Sequence, residues 1–154
     1  NGDHKTAAEW YLKAARQGNP RAQFNLAVHL QNAEGVKRNY KDAVEWYQAA
    51  ADQGYVNALY NLAYMLENGL GCNRNYETAF SLYKKAAQSN EPESQCKVAL
   101  LLLSPDLLEK VPVECRKGRG WDFILPDNDE AKRLLHSAAA AGHKTSIEIL
   151  RTLG

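Results

Sequence analysis

Residues 43–54 read AVEWYQAAADQG, and the same pattern of small and bulky residues returns at 7–18, 79–90 and 131–142. In every copy a small residue is followed by a bulky pair three and four positions later and by an alanine pair seven and eight positions later. These offsets fall on one face of an α-helix. The pattern therefore predicts a helical packing motif written four times. The bulky pairs, which we expect to fill space between neighbouring helices, are Trp10-Tyr11, Trp46-Tyr47, Leu82-Tyr83 and Leu134-Leu135. Gly18, Gly54 and Gly142 are the last residues of three of the copies, at a position where a left-handed helix cap favours glycine.

A second helix precedes the packing motif in each full repeat. Pro20 suits the first turn of a helix, and an apolar face follows at Ala22, Leu26, Ala27 and Leu30. A shift of 36 residues superimposes this segment on 56–71, and about half of all positions are identical at that offset. Two helices in a period of about 20 to 50 residues indicate a helical solenoid.

The two-helix pattern resembles the Sel-one-like repeat (SLR), a relative of the tetratricopeptide repeat. The motif Ala-x-x-Asn-Leu-Ala-x-x-Leu at 22–30 and 58–66, a glycine-containing loop at 69–71 and Ala-x-x-Trp-Tyr-x-x-Ala-Ala-x-x-Gly at 43–54 carry this resemblance. It implies an all-α fold, a right-handed α-solenoid of antiparallel helix pairs. The first helix of each pair would line the concave surface of the superhelix, and the second would lie on its convex side.

We expect a single solenoid over residues 1–154. A helix with the packing motif but no first helix begins the chain, so we expect the sequence to begin inside a longer array. The expected divisions are a partial unit at 3–18, full units at about 20–54, 56–90 and 92–142, and a C-terminal helix at 144–152 that covers the last pair.

The third full unit departs from the pattern. Asn90 replaces the glycine, Lys97 replaces the repeated asparagine, and Leu82 replaces the tryptophan. Ala79 and Ala131 are 52 residues apart instead of 36, which predicts an insert at about 104–128. Serine, proline and acidic residues at 104–109 predict a short helix at its start.

The insert carries an apolar cluster at Trp121, Phe123, Ile124 and Leu125. Either these residues fold back against the repeats, or they form an exposed patch for another protein. We expect the insert to influence partner choice more than stability, because lengthening a loop costs little closure entropy. The basic run at 116–121 could contact RNA or an acidic peptide, but acidic residues nearly cancel its charge, which favours a solvated or partner-docking loop.

Composition excludes several classes of function. The 154 residues carry a formal net charge of +1, which provides no global attraction to nucleic acid or to an anionic membrane. The longest apolar run, at 98–103, is far shorter than the roughly 20 residues of a membrane span. Cys72, Cys96 and Cys115 are odd in number and lack CxxC spacing, so we expect neither a disulfide framework nor a zinc site. This usage favours a reducing compartment such as the cytoplasm.

The sequence lacks a recognisable catalytic constellation. His4, His29, His136 and His143 form no i, i+4 pair, and we expect surface or helix-end histidines instead of metal ligands. The loop at 69–71 lacks the Lys-Ser/Thr of a phosphate-binding loop and is interpreted as a turn. We therefore predict a non-catalytic scaffold or adaptor that binds a protein or peptide partner and uses no cofactor. The alternative is a regulatory or substrate-docking region of a larger multidomain enzyme.

The predicted binding surface consists of first-helix positions that the apolar face leaves free. The resemblance places these positions on the concave side, where aromatic residues with a polar rim suit an extended or helical peptide. The alternative is that Phe24 and Tyr60 pack between adjacent first helices. The candidate partner-binding residues are Arg21, Phe24, Val28, Gln31, Asn57, Tyr60, Tyr64, Glu67, Glu93 and Leu100, with Trp121 and Phe123 from the insert.

Overall fold

A computed structural model describes residues 2–154, and throughout that range the regular secondary structure is helical. The helices are α1 (Gly2–Arg16), α2 (Pro20–Asn32), α3 (Tyr40–Asp52), α4 (Val56–Asn68), α5 (Tyr76–Gln88), α6 (Pro92–Leu102), α7 (Pro105–Leu108), α8 (Asn128–Ala140) and α9 (Lys144–Leu153). A turn of 3-10 helix at Val113–Cys115 lies between α7 and α8. The all-α prediction is confirmed.

The helices gather into two compact units, an N-terminal unit that ends at Leu82 and a C-terminal unit from Tyr83 to Gly154. In the N-terminal unit α1 packs on α2, α2 on α3 and α3 on α4. In the C-terminal unit α6 packs on α8, and α8 packs on α9. We call α2, α4 and α6 the A helices and α1, α3, α5 and α8 the B helices, after their order within a pair.

Local signals set the ends of the helices. The side chain of Asn19 accepts a hydrogen bond from the Ala22 amide at 2.9 Å, and Asn39 and Asn75 cap α3 and α5 in the same way. Each cap satisfies an amide that the helix leaves without a partner. Gly54 ends α3 with a φ of +79°, and Asn90 adopts a φ of +59° where other copies have glycine. Asparagine tolerates this left-handed conformation better than most residues do.

The two members of a bulky pair differ in burial within the N-terminal unit. Tyr47 is fully buried, whereas Trp46 is partly buried at the edge of a cluster of Ala15, Ala22 and Leu26. Trp10 is 65% exposed. The expectation that both members of each pair fill the interior is therefore wrong for Trp10, and Trp46 meets it only in part. Adjacent helical residues point about 100° apart, so the neighbouring helices decide whether both members of a pair are buried, as Leu134 and Leu135 are, or only one.

The insert is ordered, and its two ends are joined. The Ser104 amide donates to Asn128 Oδ1 at 2.9 Å, Asn128 Nδ2 donates back to the Ser104 hydroxyl at 3.1 Å, and the Asp127 amide donates to the Leu102 carbonyl at 2.8 Å. The predicted helix start is confirmed, because α7 begins at Pro105. These bonds fix the insert against the end of α6 and the start of α8.

The apolar cluster of the insert divides between the core and the surface. Trp121 is only 1% exposed and Ile124 is also buried, whereas Phe123 and Leu125 remain exposed. Lys97 Nζ lies 5.7 Å from the centre of the Trp121 ring, a cation–π distance. Of the two alternatives for the cluster, folding back is thus correct for Trp121 and Ile124. Removing the insert would expose Trp121 and Ile124, and the stability lost in this way exceeds the small closure entropy from which we expected the insert to affect partner choice more than stability.

Two residues of the basic run in the insert bind backbone carbonyls of the C-terminal unit. Arg116 donates to the carbonyls of Val111 at 2.9 Å and Glu109 at 2.7 Å, and Lys117 Nζ lies 3.4 Å from the Leu101 carbonyl oxygen. Arg116 and Lys117 thus bind carbonyl oxygens of the fold, although Arg116 remains exposed.

Candidate functional site

The A-helix face of the N-terminal unit is organised around the hydroxyl of Tyr47. This hydroxyl donates to Gln31 Oε1 at 2.6 Å and accepts from Asn61 Nδ2 at 3.1 Å, so it links α2, α3 and α4. Burial raises the pKa of Tyr47 to about 12, against a smaller opposing effect of the Asn61 bond. The hydroxyl therefore stays protonated and available as a donor at neutral pH.

Phe24 belongs to the same arrangement. Its ring centre lies 5.8 Å from that of Tyr47 and 5.3 Å from that of Tyr55, both in tilted contacts. Contacts of this kind add to the stabilisation from burial alone. Phe24 and Gln31 thus use part of their side chains to hold the helices together. The ring contacts of Phe24 are to α3 and to the residue that precedes α4, whereas the packing alternative placed Phe24 between adjacent A helices.

The remaining predicted residues of the N-terminal unit lie on α2 and α4. Tyr64 is 43% exposed, and Val28 is half-buried at the equivalent position one repeat earlier. Arg21 and Asn57 are exposed, whereas Tyr60 and Glu67 are half-buried and engaged in contacts within the protein. We call the residues Arg21, Val28, Asn57, Tyr60, Tyr64 and Glu67 the A-helix surface. It combines apolar contact area with both signs of charge.

The four predicted residues of the C-terminal unit do not form a comparable surface. Leu100 and Trp121 are buried, so they leave the candidate set, because a buried side chain offers a partner almost no area. Glu93 is exposed, but its Oε2 lies 2.9 Å from Nε2 of His143, whose other ring nitrogen lies 2.9 Å from the Ser146 hydroxyl. Phe123 remains on the surface.

A groove recurs between successive B helices, and we did not predict it from the sequence. In the N-terminal unit a groove of about 440 Å³ lies between α1 and α3, with Leu26 and Leu30 at its floor and Trp46 on one wall. A second groove, of about 400 Å³, lies in the C-terminal unit over Val98 and Leu102, the repeat equivalents of that floor. The signal in the sequence was the tryptophan position itself, which we assigned wholly to the core.

The second groove carries an ion pair at its edge. Arg133 donates from Nε and from a terminal nitrogen to the two carboxylate oxygens of Glu130, each at 2.6 Å. This bidentate bond holds the pKa of Glu130 below its usual range. Both groups are largely exposed, so the pair adds little to folding stability.

The cysteine thiols are weak nucleophiles at neutral pH. All three are free, and burial raises the pKa of Cys96 to about 11. Burial also raises the pKa values of Cys72 and Cys115 above the usual value for a thiol. Since the thiolate is the reactive form, none of them resembles an activated catalytic cysteine.

The repeat geometry agrees with a comparison against protein families. The model for the Sel1 repeat matches residues 2–19, 20–55, 56–91 and 92–143. The chain belongs to the Sel1 repeat family. Proteins built of Sel1 repeats are commonly protein-interaction scaffolds and are generally non-catalytic. A comparison with curated proteins found no significant match.

Two solved structures with the same fold come from chains that are longer than this one. A Sel1 repeat protein from Oxalobacter formigenes aligns with a TM-score of 0.73 and 27% identity over 92% of this chain and 52% of its own. The SLR-fold protein c5321, a protective antigen of uropathogenic Escherichia coli strains, aligns with a TM-score of 0.74 and 22% identity over 97% of this chain and 33% of its own. The chain thus spans about half and one third of these proteins, and the predicted solenoid of helix pairs is confirmed. Among residues 2–154, every helix is too short or too polar to cross a membrane.

Proposed function

We propose that this chain is a non-catalytic interaction scaffold that binds a peptide segment of a protein partner on the A-helix surface. The observation that carries the proposal is the exposure of Tyr64 beside residues held rigidly in place. A large aromatic side chain supplies contact area at a small entropy cost, and aromatic and arginine residues dominate the energy of many interfaces.

The rigid base favours such a role. The hydrogen bonds from Tyr47 to Gln31 and from Asn61 to Tyr47 fix α2 and α4 relative to each other, so a partner would not need to order them. Preorganisation of this kind raises affinity because less conformational freedom is lost on binding. Arg21 and Glu67 lie on α2 and α4, and their opposite charges would select the orientation of a bound segment.

The exposed apolar residues of the insert provide a separate contact surface in the C-terminal unit. Val113, Phe123 and Leu125 all remain exposed although Trp121 nearby is buried. We propose that they add contacts for the same partner or for a second one.

The test uses peptides selected from a displayed random library against the full chain. Affinity would be measured for the parent, for Tyr64→Ala with Arg21→Ala, and for Lys41→Ala with Gln48→Ala. The control removes a cation and a second exposed polar side chain from α3, and it leaves Trp10 in place because Trp10 lines a groove together with Arg21. We expect a loss of about thirtyfold or more for the first variant, the size of an interface hot spot, and little change for the control.

Two results would overturn the proposal. One is failure to select any peptide, and the other is equal binding by the parent and the Tyr64 variant when circular dichroism shows both to be folded. A selected peptide that loses affinity only with Phe123→Ala would assign binding to the insert instead.

A further inference from the structure

Three side chains of the types that bind metals lie close together between the start of α1 and the C-terminal end of α2. His4 comes from α1, His29 from α2 and Glu34 from the turn that follows α2. One donor atom from each residue lies within 4.8 Å of the donor atoms of the other two. From the sequence we predicted surface or helix-end histidines: His4 is exposed, and His29 lies in the last turn of α2, where it is buried. His4 lies far from His29 and Glu34 in the sequence, so no short spacing motif indicated that the three residues come together.

The following repeat fills the same three positions with different chemistry. A shift of 36 residues places Tyr40, Met65 and Leu70 where the first repeat has His4, His29 and Glu34. Met65 is fully buried, so the position of His29 is a core position of the repeat. The fold therefore accepts apolar or aromatic side chains at these places, and the first repeat departs from them with three ligand-type residues together. Burying an imidazole is costly unless its nitrogens are bound.

The hydrogen bonding of His29 suits a metal ligand. Its Nδ1 lies 3.0 Å from the Glu34 carbonyl oxygen and 3.5 Å from Glu34 Oε2, and its ring centre lies 5.3 Å from that of Tyr11. A proton on Nδ1 would be donated to that carbonyl, which leaves the lone pair on Nε2. The Glu34 carboxylate lies beside Nδ1, so it would have to turn toward Nε2 to share an ion with His29. Histidines that bind metals usually have one nitrogen fixed in this manner by a carbonyl or a carboxylate.

The backbone also brings Glu34 to the start of α1. Gly35 has a φ of +69°, and a Cβ atom there would overlap the backbone of His4 and Lys5. The absence of a side chain at Gly35 thus lets the turn lie directly against α1. In consequence the backbone next to Glu34 lies against the backbone of His4, and the two side chains start from neighbouring positions.

We propose that His4, His29 and Glu34 form a binding site for a divalent transition-metal ion, with zinc as the ion that best suits two imidazoles and a carboxylate. Tetrahedral zinc with bonds of about 2.0–2.2 Å needs donor atoms roughly 3.3–3.5 Å apart. The exposed His4 and the half-buried Glu34 can close the remaining distance by changing rotamer, whereas His29 is held in place. Three protein ligands leave one position for water or for a group from a partner. The bound ion would join α1 to the turn after α2.

The test measures zinc binding and thermal unfolding of the full chain. Binding would be followed by calorimetry, and melting would be recorded with and without zinc. We expect one zinc ion per chain and a higher melting temperature in zinc. His29→Met installs the residue of the following repeat, so it should fold, bind zinc at least tenfold more weakly and lose the zinc-dependent rise. The control His136→Ala removes an exposed histidine of α8 and should behave like the parent.

Two further measurements keep the result decisive. If His29→Met does not fold, His4→Tyr installs the aromatic of Tyr40 at an exposed position and should lose zinc binding in the same way. Cobalt titration distinguishes the ligands, because thiolates give a charge-transfer band that imidazole and carboxylate do not. No zinc binding by the parent, unchanged binding by the folded variants, or a thiolate band that implicates the cysteines would each overturn the proposal.

Discussion

Gly71 lies so close to the backbone of α3 that a substitution there should weaken the contact between successive repeats. Gly71 has a φ of +68°, and a Cβ atom added there would lie 2.6 Å from the Lys41 amide nitrogen and closer still to the carbonyl group of Tyr40. Gly54 has a similar φ of +79° but no atom within 4 Å of an added Cβ. The pair of substitutions Gly71→Ala and Gly54→Ala therefore separates backbone strain from steric overlap.

The expected magnitudes follow from these two terms. Alanine in the left-handed region costs about 1–2 kcal/mol, and the less flexible unfolded chain returns about 0.4–1 kcal/mol, so Gly54→Ala should lose roughly 1 kcal/mol of unfolding free energy. Gly71→Ala carries the same strain. It also forces the turn away from the first residues of α3, and overpacking of this kind costs about 1–3 kcal/mol. The neighbours are backbone atoms, which cannot rotate out of the way.

The assay is urea unfolding followed by far-ultraviolet circular dichroism, with linear extrapolation to water. We expect Gly71→Ala to be less stable than Gly54→Ala by about 1–3 kcal/mol, the overlap contribution. Losses that agree within about 0.5 kcal/mol, the scale of ordinary surface substitutions, would show that the turn does not rest against α3.

Two further predictions concern buried aromatic residues. Trp121→Ala should lose about 3–5 kcal/mol, the usual cost of emptying a large core site, whereas Phe123→Ala, at 45% exposure, should lose much less; equal shifts in a thermal melt would show that the insert does not belong to the core. Tyr47→Phe should lose about 1–2 kcal/mol at neutral pH, because its bonds to Gln31 and Asn61 disappear. The pKa of Tyr47 is raised from 10.0 to about 12 on folding, so its stabilising effect is complete below pH 10 and is lost as the pH rises through 12. The stability difference between parent and Tyr47→Phe should narrow over that interval, and a difference independent of pH in urea unfolding would contradict the buried hydroxyl.

The sequence by itself determined the helices and their repeat. Local sequence sets the N-terminal starts of α2, α3, α5 and α8. At each start the side chain of an asparagine or aspartate accepts a hydrogen bond from the backbone amide three residues later. The 36-residue offset and the alanine pairs were enough to predict a helical solenoid, and the resemblance to the Sel-one-like repeat implied antiparallel helix pairs. Such features depend on interactions within a few residues, so a single sequence reveals them.

Only the tertiary structure decided which side chains remain available at the surface. Periodicity places Trp46 and Tyr47 on the same helix face, but the neighbouring helices bury Tyr47 completely and leave Trp46 at a groove. The insert offered no periodic signal, and Trp121 is buried where the insert returns against Lys97 of α6. His29 and Glu34 likewise meet His4 only because Gly35 allows the turn to contact the α1 backbone. Burial and clustering depend on contacts between segments distant in sequence, and local patterns carry no direct record of those distances.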